Sequence, residues 1–249
     1  MDQYLHHLRD IKPYLNADET YLCVDGFFSK KKFINGVTNR HLHQIGRLRR
    51  DANCRYLYTG PKREKGSGNQ KTYDGKVDWQ DLSRFTYHHT QDGIASYSQI
   101  LNHQCFKRNL KVVVLVNEKI KKNYVILFST DQHLDAQSVV TYYKARSQIE
   151  FIFRDAKQFT GLSDAQTRDK KCLDFHFNAS LTTLNLSKAE HLKTHWDTPT
   201  KPFSMTSIKA CYFNTFFLEK FFSMFDLDPK HIKKSPQYTY LINYGNIAA

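Results

Sequence analysis

The sequence predicts a mixed α/β fold, and three observations along the chain carry that prediction. A short apolar run at 21–24 is followed by Asp25 and Gly26 and then by a helix-like stretch at 27–37. Short runs typical of strands occupy most of 41–131, and helical patterning dominates after that range. We therefore expect an α/β unit, then a β-rich region, and then C-terminal helices.

The first region places an aspartate at the end of a strand. Residues 2–15 predict a short helix that stops near Pro13, and the apolar run YLCV at 21–24 is typical of a strand buried on both faces. In open α/β sheets, ligands bind beyond the carboxyl ends of strands, which is where Asp25 falls. An aspartate at this junction can also cap the helix that follows, so a binding role and a capping role are both open for Asp25.

The middle of the chain predicts several short strands and one long loop. Asp74-Gly75 matches a hairpin turn, and the basic stretch 60–71, almost free of apolar residues, predicts a mobile loop. The strands either extend the first sheet or form, in part, an inserted β-subdomain. The predicted strands are 42–48, 54–59, 72–79, 83–89, 94–101, 110–117 and 123–130.

Charge and cysteine content narrow the class of protein. The 249 residues carry 37 Lys and Arg against 24 Asp and Glu, a net charge of +13, which favours a polyanionic partner such as nucleic acid. Five scattered cysteines without a C-x-x-C pair argue against a zinc ribbon or a disulfide framework and fit the cytoplasm. The amino-terminal stretch lacks the apolar segment of a signal peptide.

The most apolar of the later segments lies at residues 208–225. Lys209, Glu219 and Lys220 interrupt it, so it cannot form an uninterrupted membrane span, and no membrane association is expected. We expect a buried amphipathic helix whose aromatic side chains pack in the core or at a protein interface.

One predicted helix gathers charged and aromatic side chains on one face. Asp135 is a suitable N-cap for a helix that runs to about Phe159. At ~100° per residue, four side chains fall within roughly 60° of arc, and four apolar side chains form a second stripe that is expected to face the core. The first set is Tyr143, Arg146, Glu150 and Lys157, and the second is Ala145, Ile149, Ile152 and Ala156.

The polar face suits a phosphodiester. Arg146 can grip a phosphate with its planar guanidinium, and Lys157 supplies a point charge. The carboxylate of Glu150 would repel a phosphate unless it holds a metal ion, and hard oxygen ligands select Mg²⁺ or Mn²⁺. The alternative is an exposed helix face with ion pairs such as Arg146–Glu150, and spacing alone does not separate the two interpretations.

The pattern Y-x2-R-x3-E-x6-K, formed by Tyr143, Arg146, Glu150 and Lys157, resembles the signature of insertion-sequence DDE transposases of the type-four group, with the same residue types and spacing. The segments FSTD and QIEFIFRDAKQFTGLSDAQ resemble the flanks of that signature. YLCVDGFFSKKKF resembles the block that holds the family's second catalytic aspartate. The resemblance extends over most of the chain.

This resemblance implies a partial ribonuclease-H-like core, with a β-rich insertion at about 41–120 inside one catalytic domain, 1–249. It implies that Asp25 and Glu150 are catalytic metal ligands of a two-metal Mg²⁺ or Mn²⁺ site. By the same resemblance, Tyr143, Arg146 and Lys157 bind phosphates of the transposon end.

The implied reaction is strand cleavage by water followed by strand transfer, in which a 3′-hydroxyl attacks a phosphodiester. The implied partners are double-stranded DNA with terminal inverted repeats and a second transposase copy in a synaptic complex. The implied location is the bacterial cytoplasm, in association with DNA.

The sequence departs from the family at its first catalytic aspartate. That residue is expected on a core strand upstream of Asp25, whereas the 24 residues before Asp25 read mostly as helix. We therefore expect an N-terminally truncated transposase that cannot cleave DNA by itself. The alternative is a catalytically dead DNA-binding remnant or a regulator of transposition.

Other basic residues are candidates for contacts with DNA phosphates, because clusters of cations on loops and strand ends follow the DNA backbone. Trp79 either packs in the core or stacks on an extruded base. The basic candidates are Arg47, Arg49 and Arg50, together with Lys62, Arg63, Lys65 and Lys71 of the predicted loop.

Overall fold

The computed structural model describes residues 1–18, 20–61, 69–120, 123–194 and 202–247. The chain divides into two compact units, Met1–Ser147 and Gln148–Ala249. The first unit holds the β-sheet and three helices, and the second is helical. This is the mixed α/β fold with C-terminal helices that the sequence predicts.

The first unit begins with the predicted helix and strand. A 3₁₀ turn at Lys12–Tyr14, which contains Pro13, follows the first helix and ends it close to the predicted position. The helices of this unit are α1 (Asp2–Ile11), α2 (Lys31–Thr38) and α3 (Ala136–Ala145). The strands are β1 (Tyr21–Cys23), β2 (His43–Leu48), β3 (Cys54–Leu57), β4 (Tyr73–Lys76), β5 (Thr86–Gln91), β6 (Ile94–His103), β7 (Arg108–Asn117) and β8 (Tyr124–Ser129).

All of these strands join one mixed sheet. Its order is β1-β2-β8-β7-β6-β3-β4, and β5 pairs with β6 beside that path. The pairing of β1 with β2 is parallel, and the other pairings are antiparallel. The strands of the middle region therefore extend the first sheet.

The two faces of the sheet bury separate apolar clusters. Successive side chains of a strand point to opposite faces, so Val112 and Val114 join one cluster and Val113 joins the other. The indole of Trp79 packs in the first cluster and donates a hydrogen bond to the carbonyl oxygen of Ala52 at 3.1 Å. Trp79 therefore has the core role of the two roles open to it, and Val139 of α3 covers the second cluster.

Two local predictions about the strands are wrong. The strand β1 lies at the sheet edge and is half-buried, not buried on both faces. Asp74 and Gly75 lie inside β4, where the register with β3 shifts and Gly75 adopts a φ of +87°. This is a β-bulge, which uses the same freedom of glycine that a hairpin turn uses. The tight turn with Asp-Gly chemistry joins β5 to β6 at residues 92–93, both with positive φ.

The predicted helix from residue 135 to Phe159 is two helices. The helix α3 ends at Ala145, and the next helix, α4, spans Gln148–Phe159. The hydroxyl of Ser147 donates to the carbonyl oxygen of Lys144 at 2.8 Å, and the backbone N–H of Ser147 bonds to the same oxygen. These tightened bonds satisfy a terminal carbonyl and end the helix.

The second unit consists of α4 and four further helices. These are α5 (Lys170–Thr194), α6 (Met205–Met224), α7 (Pro229–Ile232) and α8 (Pro236–Ile242). Its core cluster includes Ala156 of α4, Leu184 of α5 and Met205 of α6. The other members of the predicted apolar stripe, among them Ile149 and Ile152, are exposed, so that stripe does not face the core.

The helix predicted from the apolar segment at 208–225 exists as α6, but it is not buried. Of its side chains, only Met205 and Phe222 are fully buried, and most of its aromatic rings are exposed. None of the helices in the described part of the chain is long and apolar enough to cross a membrane. All five cysteines lie in the described ranges and have free thiols.

Candidate functional site

Asp25 lies directly after β1, where the strand runs into a 3₁₀ turn at Gly26–Phe28. The backbone N–H of Val24 still bonds to the carbonyl oxygen of Ile45 of β2, at 3.0 Å, so the ladder fixes the chain up to this point. The Asp25 carboxylate accepts the N–H of Phe27 at 2.8 Å and caps the turn. The capping role that the sequence leaves open is therefore real, and the side chain is exposed at the sheet edge.

The strand β2 brings an arginine next to this turn. The hydroxyl of Ser29 donates to the carbonyl oxygen of Arg47 at 2.7 Å, which holds the turn against β2. Gly46 permits the close packing beneath, because a Cβ there would lie 2.9 Å from the ring of Phe128. Since β1 and β2 are parallel, their carboxyl ends meet at the same edge, and Asp25 and Arg47 come together there.

The helix α3 supplies two more of the predicted residues. Asp135 caps it by accepting the N–H of Ser138 at 2.9 Å, as expected. Its buried side chains lie at spacings of three and four residues and include Val139 and Val140, and Tyr143 continues that stripe at the edge of the same cluster. The Arg146 guanidinium, just after the helix, lies 5.9 Å from the centre of the Tyr143 ring.

These elements enclose an open cleft of ≈ 670 Å³ in the first unit. Six of the residues predicted to bind DNA or metal line it. Four guanidiniums face two carboxylates there, so the cleft is net positive and suits an anion. The lining residues are Asp25, Gly26, Arg47, Leu48, Arg49, Arg50, Asp51, Tyr143 and Arg146.

The arginines at the end of β2 differ in how firmly they are held. Arg50 donates to the amide oxygen of Asn123 and to the carbonyl oxygen of Tyr124, both at 3.3 Å, and its guanidinium lies 4.8 Å from the Tyr124 ring centre. Arg50 also lines a second cleft of ≈ 780 Å³. Arg47, Arg49 and Arg50 are all exposed, so these contacts, and not burial, hold Arg50 to the fold.

Asp51 is a cleft residue that the sequence analysis did not single out. Its carboxylate lies 3.1 Å from the Nε of Arg49, and both side chains are exposed. The only sequence signal was its place directly after two candidate arginines. This ion pair offsets part of the charge of Arg49.

Glu150 and Lys157 lie on α4 in the second unit, and both are exposed. They are seven residues apart on one helix and therefore share a face. The break between α3 and α4 means that Tyr143, Arg146, Glu150 and Lys157 do not form one face of a single continuous helix. The prediction that they do is wrong, and the pairing of Asp25 with Glu150 stays a prediction.

The remaining basic candidates are the lysines and the arginine of the predicted loop. Lys62, Arg63 and Lys65 lie outside the described residues, as does most of the predicted loop. Lys71 is described, and its ammonium lies 2.6 Å from the carboxylate of Asp74.

The side chains of the described ranges do not make up a divalent-metal centre. No group of three His, Cys, Asp or Glu residues there is arranged to hold a metal ion. One oxygen of Asp25 accepts a backbone N–H, and the carboxylate of Asp51 is paired with Arg49. The cleft thus offers oxygen donors of the type that Mg²⁺ prefers.

Comparison with known families shows to which family the chain belongs. A comparison with curated proteins found no match. Residues 1–186 match the family described as the transposase DDE domain. This range covers the whole sheet, the cleft, α3 and α4, and most of α5. The chain therefore belongs to the transposase DDE domain family.

Proposed function

We propose that this chain is a DDE transposase of the type-four insertion-sequence group and that its cleft binds the phosphodiester backbone of transposon-end DNA. The observation that carries the proposal is the gathering of Asp25 with Arg47, Tyr143 and Arg146 in one net-positive cleft, from three separate parts of the chain. A surface that served only to solubilise the protein would not require elements so distant in sequence to converge.

The roles of the cleft residues follow from their chemistry. Arginine presents a planar fork of donors that matches two phosphate oxygens, so Arg47, Arg49 and Arg146 are proposed to grip the backbone. The held guanidinium of Arg50 is proposed to set the position of one phosphate between the two clefts. The Tyr143 hydroxyl is proposed to donate to a phosphate oxygen. Lys157 on α4 is proposed to contact DNA as well.

Members of this family generally depend on a divalent metal. Asp25 and Glu150 are proposed as ligands of Mg²⁺ or Mn²⁺, which would activate the attacking oxygen and stabilise the leaving one during strand cleavage and strand transfer. Two carboxylates are fewer than the three that the family's reaction uses. We therefore propose that the isolated chain binds DNA but does not cleave it.

A second function, that of a catalytically dead DNA-binding remnant or regulator, is favoured by one observation. One oxygen of the Asp25 carboxylate accepts the N–H of Phe27 and caps the turn, which fits a structural role for this acid. Such a remnant would occupy transposon ends and keep a complete transposase away from them.

The domain organisation remains a proposal. We propose that residues 1–249 form one catalytic domain of the ribonuclease-H type. The region at about 41–120 is proposed as its β-rich insertion, built as a continuation of the sheet. The cytoplasm is the proposed location, from the cysteine pattern alone.

The test is binding of purified chain to DNA that carries the element's own terminal inverted repeats, measured by fluorescence anisotropy with and without Mg²⁺. We expect tighter binding than to shuffled DNA and no cleavage in either condition. Equal affinity for both DNAs, unchanged in cleft variants, would contradict the proposed function.

Cleavage is followed on the same samples by denaturing gel electrophoresis. Mg²⁺-dependent cleavage that is lost in Glu150→Ala, and retained in the control Glu219→Ala, would overturn the proposed inactivity and support the metal role of Glu150. Glu219 is a suitable control because it is an exposed helical glutamate that pairs with Lys233 at 3.1 Å.

A further inference from the structure

The segment FSTD, at 128–131, covers the end of β8 and the start of its connection to α3, and its last residue makes a long-range contact. The hydroxyl of Tyr21 donates a hydrogen bond to the carboxylate of Asp131 at 2.7 Å, although the two residues are 110 positions apart in the chain. The other oxygen of this carboxylate accepts the backbone N–H of His133 at 2.9 Å. Tyr21 and Asp131 are both half-buried, and neither lines the cleft.

The ionisation of the two side chains makes this a strong hydrogen bond. Burial by itself would raise the pKa of Asp131, but the bonds from the Tyr21 hydroxyl and the N–H of His133 outweigh it, and the pKa lies below its ordinary value. Burial, and then the bond to Asp131, raise the pKa of Tyr21 to about 12. At neutral pH the donor therefore keeps its proton and the acceptor is a carboxylate. A hydrogen bond to such a charged acceptor is roughly twice as strong as one between neutral groups.

The bond joins two elements that carry residues of the cleft. Tyr21 begins β1, and Asp25 follows the end of that strand. Asp131 lies in the connection that leads into α3, and α3 carries Tyr143. The ring centre of Tyr21 also lies 5.3 Å from that of Tyr142, the neighbour of Tyr143. Tyr21 therefore contacts both α3 and the connection that precedes it.

The strand β1 depends on side-chain contacts because it is short and lies at the edge of the sheet. It has three residues and pairs with β2. Before the strand, the N–H of His43 donates to the carbonyl oxygen of Thr20 at 2.7 Å, and after it the N–H of Val24 donates to a carbonyl oxygen of β2 at 3.0 Å. These bonds lie in the plane of the sheet, whereas α3 covers one face of it. They therefore do not determine how closely β1 approaches α3.

We infer that Tyr21 and Asp131 are positioning residues, whose hydrogen bond holds β1 with Asp25 against α3 with Tyr143. They act on the cleft through the strand and the helix, and not by contact with DNA. The expected effect on DNA binding rests on the function proposed for the cleft, whereas the effect on β1 and α3 is independent of that function.

Hydrogen exchange followed by mass spectrometry tests the contact without DNA. Tyr21→Phe removes the hydroxyl and keeps the ring that lies against Tyr142. We expect exchange about 10-fold faster in β1, in the turn after it and in α3, because a hydrogen bond to a charged group is lost, and unchanged exchange in β6 and β7. Tyr87→Phe is the matched control, since it removes a hydroxyl that is bonded to Thr90 within β5 at 3.1 Å, and it should exchange like wild type.

Substitutions of the acceptor show whether the bond itself is responsible. Asp131→Ala should have at least the effect of Tyr21→Phe, and the double variant should exchange no faster than Asp131→Ala, because both changes remove the same bond. Asp131→Asn keeps an oxygen that can accept the Tyr21 hydroxyl and should exchange more slowly than Asp131→Ala. Wild-type exchange in Tyr21→Phe would overturn the inference. An equal rise throughout the sheet would overturn it too, because it would indicate a general loss of stability.

The affinity for terminal-repeat DNA, measured by fluorescence anisotropy on variants that circular dichroism shows to be folded, tests the effect on the cleft. We expect an affinity about 10-fold lower in Tyr21→Phe and unchanged in Tyr87→Phe. Faster exchange combined with wild-type affinity would overturn the positioning role. A wild type without preference for this DNA would contradict the proposed function instead, and the exchange measurement would then decide whether the bond holds β1 against α3.

Discussion

The two units of this chain bury their apolar side chains to very different degrees. In the first unit the central strands β7 and β8 hold residues such as Val113 and Phe128 that have no exposure at all. In the second unit the aromatic-rich α6 leaves most of its rings in solvent. Alternation along a strand assigns each side chain to one face of the sheet. A helix with aromatic side chains on several sides is covered only where neighbouring elements contact it.

The largest expected difference in stability is between the removal of a buried leucine in the first unit and that of an exposed leucine in the second. Leu110→Ala removes a side chain with 0% exposure and should lower the free energy of unfolding by about 3 kcal/mol, because it leaves a cavity in the sheet core. Leu186→Ala removes one that is 65% exposed and should cost under about 0.5 kcal/mol. Urea unfolding measures both. Similar losses in the two variants would contradict the contrast.

The next effect concerns a buried histidine in the first unit. His103 stacks on Phe106 with ring centres 3.6 Å apart, and its Nδ1 accepts the N–H of Phe106 at 3.3 Å. Burial lowers its pKa to about 4. In the unfolded chain this histidine has a pKa near 6.5, so between about pH 6.5 and pH 4 the unfolded chain binds a proton that the folded chain does not bind. The free energy of unfolding therefore decreases as the pH falls from about 6.5 to about 4.

This loss should be on the order of 3 kcal/mol and is measured by urea unfolding across that pH range. His103→Asn keeps an acceptor near the Phe106 N–H and should make the stability less dependent on pH. An unchanged pH profile in His103→Asn would show that another group titrates.

A smaller loss of stability is expected from a substitution in β2, the strand whose end lines the cleft. Gly46→Ala would place a Cβ 2.9 Å from the ring of Phe128, which is fully buried. We expect a loss of about 2 kcal/mol from overpacking, together with weaker DNA binding, because Arg47 shifts with the strand. Gly26→Ala, where a Cβ would meet only the carbonyl oxygen of Arg47 at an ordinary 3.7 Å, is the control in the unfolding measurement for the loss of a glycine alone. Wild-type stability in Gly46→Ala would contradict the close packing of β2 and β8.

Much of the first unit could be predicted from the sequence because its strands are short, apolar and separated by turn residues. The seven strands predicted between 42 and 130 all occur, since alternation and β-branched residues act locally. The bulge at Gly75 could not be predicted, because a glycine with positive φ serves a bulge and a turn equally.

The sequence predicts most of the residues that line the cleft, but it does not predict how they are grouped in space. Arg47, Arg49 and Arg50 were chosen as cations near a strand end, and their meeting with Asp25 follows from the parallel pairing of β1 and β2, which the sequence does not encode locally. The helix break after Ala145 was missed because Ser147 competes for a backbone carbonyl, a tendency that apolar periodicity does not reveal. The exposure of α6 could not be predicted, because hydrophobic side chains predict burial but do not identify the element that would cover them.

The central claim is that the cleft binds DNA phosphates, and the salt dependence of DNA binding tests it most directly. The logarithm of the binding constant is plotted against the logarithm of salt concentration for wild type, Arg47→Gln, Arg146→Gln and the double variant. Each lost phosphate contact should reduce the slope by about 0.9, so the double variant should lose about 1.8 and bind several-fold more weakly at moderate salt. Arg9→Gln, on an exposed arginine of α1, is the charge-matched control for each single variant and should keep the wild-type slope. Equal slopes for the double variant and for Arg9→Gln would contradict the account, because the net charge of the chain, and not the cleft, would then hold the DNA.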